Sequence, residues 1–91
     1  MSSRLVEGFA DALVRRLVAD GLVEIEVGGE ERVIAALAAR LASTRRLGDA
    51  VVPTVIRGLL DIPEVVEVFV DDDALRELIR ELPTTNARGA S

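Results

Sequence analysis

The sequence lacks the side chains on which most catalytic and metal-binding chemistry depends. Its 91 residues contain no His, Cys, Trp, Tyr, Gln or Lys, and all 11 basic residues are Arg. A chain without His, Cys or Lys has no imidazole base, no thiolate and no amine nucleophile. The sequence therefore predicts that the protein is not an enzyme, and it predicts no catalytic residue, no metal ligand and no cofactor.

Cysteine and aromatic residues are absent or scarce, and this limits the kind of fold the chain can form. Without Cys, the chain cannot form a disulfide framework or a thiolate–zinc site. Phe9 and Phe69 are the only aromatic residues, so the core must be aliphatic. A single domain of this length buries a small core, and oligomerisation is one route to additional buried area.

Long apolar runs are absent as well. No segment approaches the roughly 20 apolar residues that span a bilayer, and no secretory signal precedes the first amphipathic stretch. These features predict a cytoplasmic protein without a membrane partner.

The net charge of −5 is unevenly distributed along the chain. Basic residues are in excess in residues 32–60, which carry five Arg and one Asp. Solvated surface charge is the favoured interpretation of this pattern. Complementary contacts within the fold or between copies are the alternative.

Apolar residues recur at helical spacing in four segments, which predicts a mostly helical domain. The predicted helices cover residues 4–19, 30–42, 49–60 and 71–82. Gly21 suits the C-terminal end of the first helix. Asp49 is the predicted N-cap of the third helix, and the acidic run that starts at Asp71 caps the fourth.

Two segments rich in valine leave the fold class open between two alternatives. Residues 22–27 alternate apolar and acidic positions, as a strand or an extended connector does. Residues 63–70 also suit a strand, but Pro63 suits the first position of a short helix, which is slightly favoured. The preferred fold is therefore all-α, a compact array of four to five short helices. The alternative is an α+β fold in which residues 22–27 and 65–70 pair as strands.

The chain is predicted to form one domain followed by a short tail. Residues 1–83 form the single helical domain, because Pro83 ends the last helix. Residues 84–91 are small and polar, and they are predicted to be a disordered tail.

Two segments are similar to a known family. One runs from Leu13 to Leu41 and contains the stretch ADGLVEIEV, which leads from the first helix into the second. The other is VVEVFVDDDALRELI, from Val65 to Ile79. Both resemble the bacterial family called domain of unknown function 507. The resemblance implies a helical fold and a cytoplasmic bacterial protein. The family has no known activity, so the resemblance implies no functional residue.

Three local motifs contain residues that occur in sites of chemistry, but each is better explained by a structural role. The consecutive residues Asp71, Asp72 and Asp73 lack the spacing of a calcium loop and read as a helix N-cap. Glu24 and Glu26 have no companion base and read as a solvated strand face. The Gly pair at 28–29 lacks phosphate-loop spacing and reads as a turn.

The second helix provides the candidate interaction surface, because it is apolar or small on several sides. The predicted surface comprises an apolar centre with Arg side chains at its rim: Val33, Ile34, Leu37, Leu41, Arg45, Arg46 and Arg57. Large leftover apolar surface marks a partner site, although one compact core would also account for the same residues.

The predicted function is a non-enzymatic protein–protein interaction module. It would be self-assembling as a homo-oligomer, or a small subunit or adaptor that binds another protein. The alternative is a nucleic-acid-associated regulatory protein that uses the Arg cluster of Arg40, Arg45 and Arg46. A pI of 4.6 and the absence of Lys and of stacking aromatic residues disfavour a nucleic-acid partner.

Overall fold

The computed structural model describes residues 3–44 and 51–82 of the chain. Within these ranges it contains four helices and two strands, and it confirms the predicted helical character. In chain order the elements are α1 (Ser3–Ala19), β1 (Val23–Ile25), α2 (Glu30–Ser43), α3 (Val52–Asp61), β2 (Val65–Val68) and α4 (Asp72–Glu81).

Helix α1 places one apolar stripe in the core and ends at a glycine. Ala10, Leu13 and Leu17 are fully buried at helical spacing. After the helix, Gly21 adopts φ +73°. The Gly21 N–H donates to the Val18 carbonyl at 3.1 Å, and the next N–H donates to the Leu17 carbonyl at 2.8 Å. These two bonds form a Schellman motif, so the predicted role of Gly21 is confirmed.

The two valine-rich segments pair as antiparallel strands, as the α+β alternative required. Val23 lies opposite Val68, Glu24 opposite Glu67, and Ile25 opposite Val65. This register leaves Val66 as the extra residue of a bulge. The short helix favoured for residues 63–70 is therefore wrong. The four valines in this segment suit a pleated strand better than a helix, and β1 supplies the hydrogen-bonding partner that a lone strand would lack.

Helices α2 and α3 approach each other closely at a glycine. Gly58 is buried, and a Cβ at this position would lie 3.0 Å from Arg40 Cδ and 3.1 Å from Leu37 Cδ1. Arg40 also pairs with Asp61 at 3.2 Å. The close contact fixes α3 on one flank of α2. Asp49, the predicted N-cap of this helix, lies outside the described residues.

Helix α4 begins at the predicted acidic cap. The Asp71 carboxylate accepts a hydrogen bond from the Ala74 N–H at 2.8 Å, which confirms the N-cap interpretation of the acidic run. At the other end of the helix, Glu81 accepts a hydrogen bond from Arg16 of α1 at 2.9 Å. The predicted helix stop at Pro83 and the predicted tail over residues 84–91 lie outside the described residues.

Replacing Asp71 by Ala should lower the free energy of unfolding by about 1 kcal/mol, because the Ala74 N–H loses its acceptor. Urea denaturation followed by circular dichroism measures the change. Asp72→Ala is the matched control, since Asp72 lies in the same turn without capping it. Equal losses in the two variants would show that charge near the helix end matters and the cap does not.

Within the described residues, the two glycines that lie inside helices should respond differently to replacement by Ala. Gly8 has no atom within 4 Å of an added Cβ, so Gly8→Ala should stabilise the protein by about 0.5–1 kcal/mol through helix propensity. Gly58→Ala should be less stable than Gly8→Ala by about 1 kcal/mol or more, because buried Leu37 must move. Thermal unfolding of both variants checks this, and equal stabilisation would contradict the close approach of α2 and α3.

Candidate interaction surface

Three residues of the predicted surface belong to the core of the chain. The side chains of Val33 and Leu37 are 0% exposed and that of Leu41 is 7% exposed. They lie on the face of α2 that points into the domain, so they cannot present a contact face in this fold. Ile34 is half-buried and Arg57 is exposed. Arg45 and Arg46 lie outside the described residues.

A different flank of α2 is open and forms a groove with α1. The groove has a volume of about 390 Å³. Its floor is apolar and mostly Ala: Val6, Ile34, Ala35, Ala38, Ala39 and Ala42. Because Ala side chains are short, the backbone of an occupying helix could approach the floor closely. We call this surface the α1–α2 groove.

The α1–α2 groove has an acidic rim formed by Glu7, Asp11 and Glu31. Asp11 accepts a hydrogen bond from Arg15 Nε, and Arg15 also lies 3.7 Å from Glu30. The hydrogen bond to Asp11 and the charge of Asp11 raise the pKa of Arg15, to which Glu31 adds a smaller contribution. Because an arginine is protonated at physiological pH in any case, Arg15 offsets the charge of Asp11.

Two carboxylates of this rim are not neutralised by an ion pair. Glu7 and Glu31 are exposed, and neither forms an ion pair with another residue in the described part of the chain. The groove therefore combines an apolar floor with two unpaired negative charges, which favours an occupant that carries a basic residue between apolar ones.

A second surface, on α3, combines apolar side chains with an arginine. Val52, Val55 and Leu59 face the core. The outer side carries the exposed residues Pro53, Arg57 and Leu60, with Ile56 half-buried between them. We call these four residues the α3 ridge. Leu60 is 66% exposed, the largest value for any described leucine. A shallow cavity of about 370 Å³ follows the ridge and is bordered by Asp61 and Asp72.

The outer face of the two-stranded sheet is the third exposed surface. Glu24 and Glu67 lie directly opposite each other, an arrangement that weakens strand pairing between like charges. Phe69 is 57% exposed beside them, and the bulged Val66 is also exposed. The predicted solvent exposure of Glu24 and Glu26 agrees with their placement.

Neither metal-binding geometry nor a membrane span is found in the described chain. Residues 3–44 and 51–82 contain no group of three or more acidic side chains arranged to hold a metal ion. No helix in these ranges combines the length and apolar character required to cross a membrane. Asp71, Asp72 and Asp73 act at the start of α4, where one caps the helix and another pairs with Arg76 at 3.1 Å.

Comparison of the chain with protein-family models, curated proteins and solved structures finds no match. The resemblance to domain of unknown function 507 thus stays a prediction, and the function is inferred from the three surfaces described above.

Substitution by Glu should separate the buried face of α2 from its open flank. Leu37→Glu places an unpaired charge in the core, and the variant should fail to fold. Ala39→Glu changes an exposed side chain, and its stability should stay within about 0.5 kcal/mol of the parent protein. Circular dichroism and thermal melting check both variants. A folded Leu37→Glu protein would contradict the buried position of Leu37 and show that this residue lies at the surface.

Proposed function

We propose that the protein is a non-enzymatic protein–protein interaction module that acts in the cytoplasm and binds its partner through the α1–α2 groove. The supporting observation is the open apolar floor between the two helices, bordered by Glu7 and Glu31. Within the described chain, three residues of this floor are exposed (Ala35, Ala39 and Ala42), whereas the large aliphatic residues on the other face of α2 are buried.

The form of the groove favours a helical partner. Two antiparallel or crossing helices with a channel between them accept a third helix, which inserts apolar side chains at positions i, i+3 or i+4 and i+7. The short side chains of Ala35 and Ala39 reduce the distance between the helix axes and increase van der Waals contact. The acidic rim then selects partners with a basic residue beside the apolar ones.

The side chains in the described chain favour binding over catalysis. Only Asp, Glu, Arg, Ser and Thr are available as reactive groups. The groove contributes carboxylates on a rim that is open to water, with no base or nucleophile beside them. The nucleic-acid alternative gains no support from Arg40, which is engaged by Asp61 at 3.2 Å.

A pair of charge insertions tests the proposal. Ala39→Glu introduces a carboxylate into the floor of the α1–α2 groove. Ala74→Glu, the matched control, adds the same charge at an exposed position in the first turn of α4. Each variant is immobilised and exposed to host lysate, and the bound proteins are quantified by mass spectrometry against the parent protein.

We expect Ala39→Glu to lose at least about tenfold of a specifically bound partner, because the new charge would be desolvated in the complex. Ala74→Glu should retain the partner. Equal retention by both variants would show that the groove is not the binding surface. Salt-sensitive recovery of nucleic acid by all three proteins would favour the alternative function.

A further inference from the structure

We propose that the occupant of the α1–α2 groove is the α3 ridge of a second copy of this chain, so that copies assemble head to tail. The inference rests on the proposed function of the groove and adds the identity of the partner. It follows from the charge, the shape and the position of the two surfaces.

Charge complementarity is the first argument. Among the arginines whose side chains the structure describes, Arg57 is the one without an ion pair to a described residue. It lies in the α3 ridge, whereas the unpaired carboxylates Glu7 and Glu31 border the groove. An Arg inserted between two carboxylates gains charge-assisted hydrogen bonds that a neutral side chain would not make.

Shape is the second argument. The α3 ridge presents large side chains on a convex helix, with Pro53, Ile56 and Leu60 at spacings of three, four and seven residues. This is the pattern that a helix uses to fill a groove. The floor of the groove presents short side chains from Ala35 and Ala39. Large side chains therefore meet small ones, as interdigitating surfaces require.

Position is the third argument, because α1 and α3 pack on different flanks of α2. Ile34 and Ala38 of α2 line the groove beside α1, whereas Leu37 and Arg40 meet α3 at Gly58. The ridge of one copy consequently points away from its own groove. Contact between two different surfaces leaves one groove and one ridge unfilled in every dimer, so assembly continues into a ring or a filament.

The outer face of the sheet is a weaker candidate than the α3 ridge for the occupant of the α1–α2 groove. Its charged residues, Glu24 and Glu67, are negative, and they would face the negative rim of the groove. The sheet face therefore serves as the site for a control substitution, because it is exposed and acidic but is not part of the proposed contact.

Sedimentation velocity over a range of concentrations tests the proposal. The parent chain should form species larger than the 9.8 kDa monomer, with a mass that rises with concentration. Arg57→Glu and Glu31→Arg should each weaken assembly by about tenfold or more, because each brings like charges together. Glu24→Arg on the sheet and Arg80→Glu on α4 make the same charge changes elsewhere and should assemble as the parent does.

Mixing the two variants distinguishes a head-to-tail contact from a symmetric one. In an equimolar mixture, the groove of Arg57→Glu meets the ridge of Glu31→Arg with the parent charges, and the ridge of Arg57→Glu meets the groove of Glu31→Arg with both charges swapped. Both contacts join opposite charges, so the mixture should assemble although neither variant does so alone. The double variant with both substitutions restores opposite charges and should assemble again. If the contact were symmetric between two grooves, Arg57→Glu would not change assembly. That result would overturn the proposal.

Failure of the self-assembly proposal can be distinguished from failure of the proposed function of the groove. A parent chain that stays monomeric at all concentrations overturns the assignment of a second copy. If Ala39→Glu nevertheless loses a specific heterologous partner that Ala74→Glu retains, the groove remains a binding surface. If assembly is sensitive to Arg57→Glu but not to Ala39→Glu, the ridge is engaged elsewhere, and the groove is excluded as its binding site.

Discussion

The rest of the fold depends on the burial of one face of α2. Val33 and Leu37 on this helix are fully enclosed, and the helix contacts α1 on one flank and α3 on the other. Because the chain has no disulfide and few aromatic side chains, aliphatic packing around α2 is the main term that opposes the loss of chain entropy. Gly58 permits the close approach on the α3 side, and the Ala residues of α2 leave space on the α1 side.

This distribution of side chains has a consequence for the surface. The large aliphatic residues of α2 are buried in the core, so its outer flank is mostly Ala, and these short side chains line the groove between α1 and α2. Some large apolar residues elsewhere in the described chain, such as Leu60 and Phe69, have no place in the core and stay exposed. The domain therefore has both a groove lined by short side chains, between α1 and α2, and a ridge that carries large apolar side chains, on α3.

Local signals were sufficient to predict the helices, the end of α1 at Gly21 and the cap at Asp71, because each depends on residues within one or two turns. The pairing of β1 with β2 depends on segments about forty residues apart in the sequence, so alternation alone left it as the second choice. Periodicity shows that α2 has several apolar flanks, but not which flank its neighbours cover. The sequence therefore predicts a contact surface at Val33, Leu37 and Leu41, which the fold buries. Prediction of the groove requires the position of α1, which the sequence does not give. The sequence does show that Ala35, Ala39 and Ala42 lie on one flank of a helix.

In the proposed assembly, apolar and charged groups have separate roles. An exposed ion pair contributes about 0–1 kcal/mol, so Arg57 by itself could not hold two copies together. Transfer of Leu60, which is 66% exposed, from water into the apolar groove supplies most of the affinity, because a large aliphatic side chain contributes on the order of 1.5–3 kcal/mol when fully buried. Ile56 is already half-buried against the core and contributes less. The charges determine instead which surface of the second copy enters the groove. Glu7 and Glu31 repel the acidic face of the sheet and attract the only described cation without a pair, which distinguishes the ridge from the other exposed apolar surfaces.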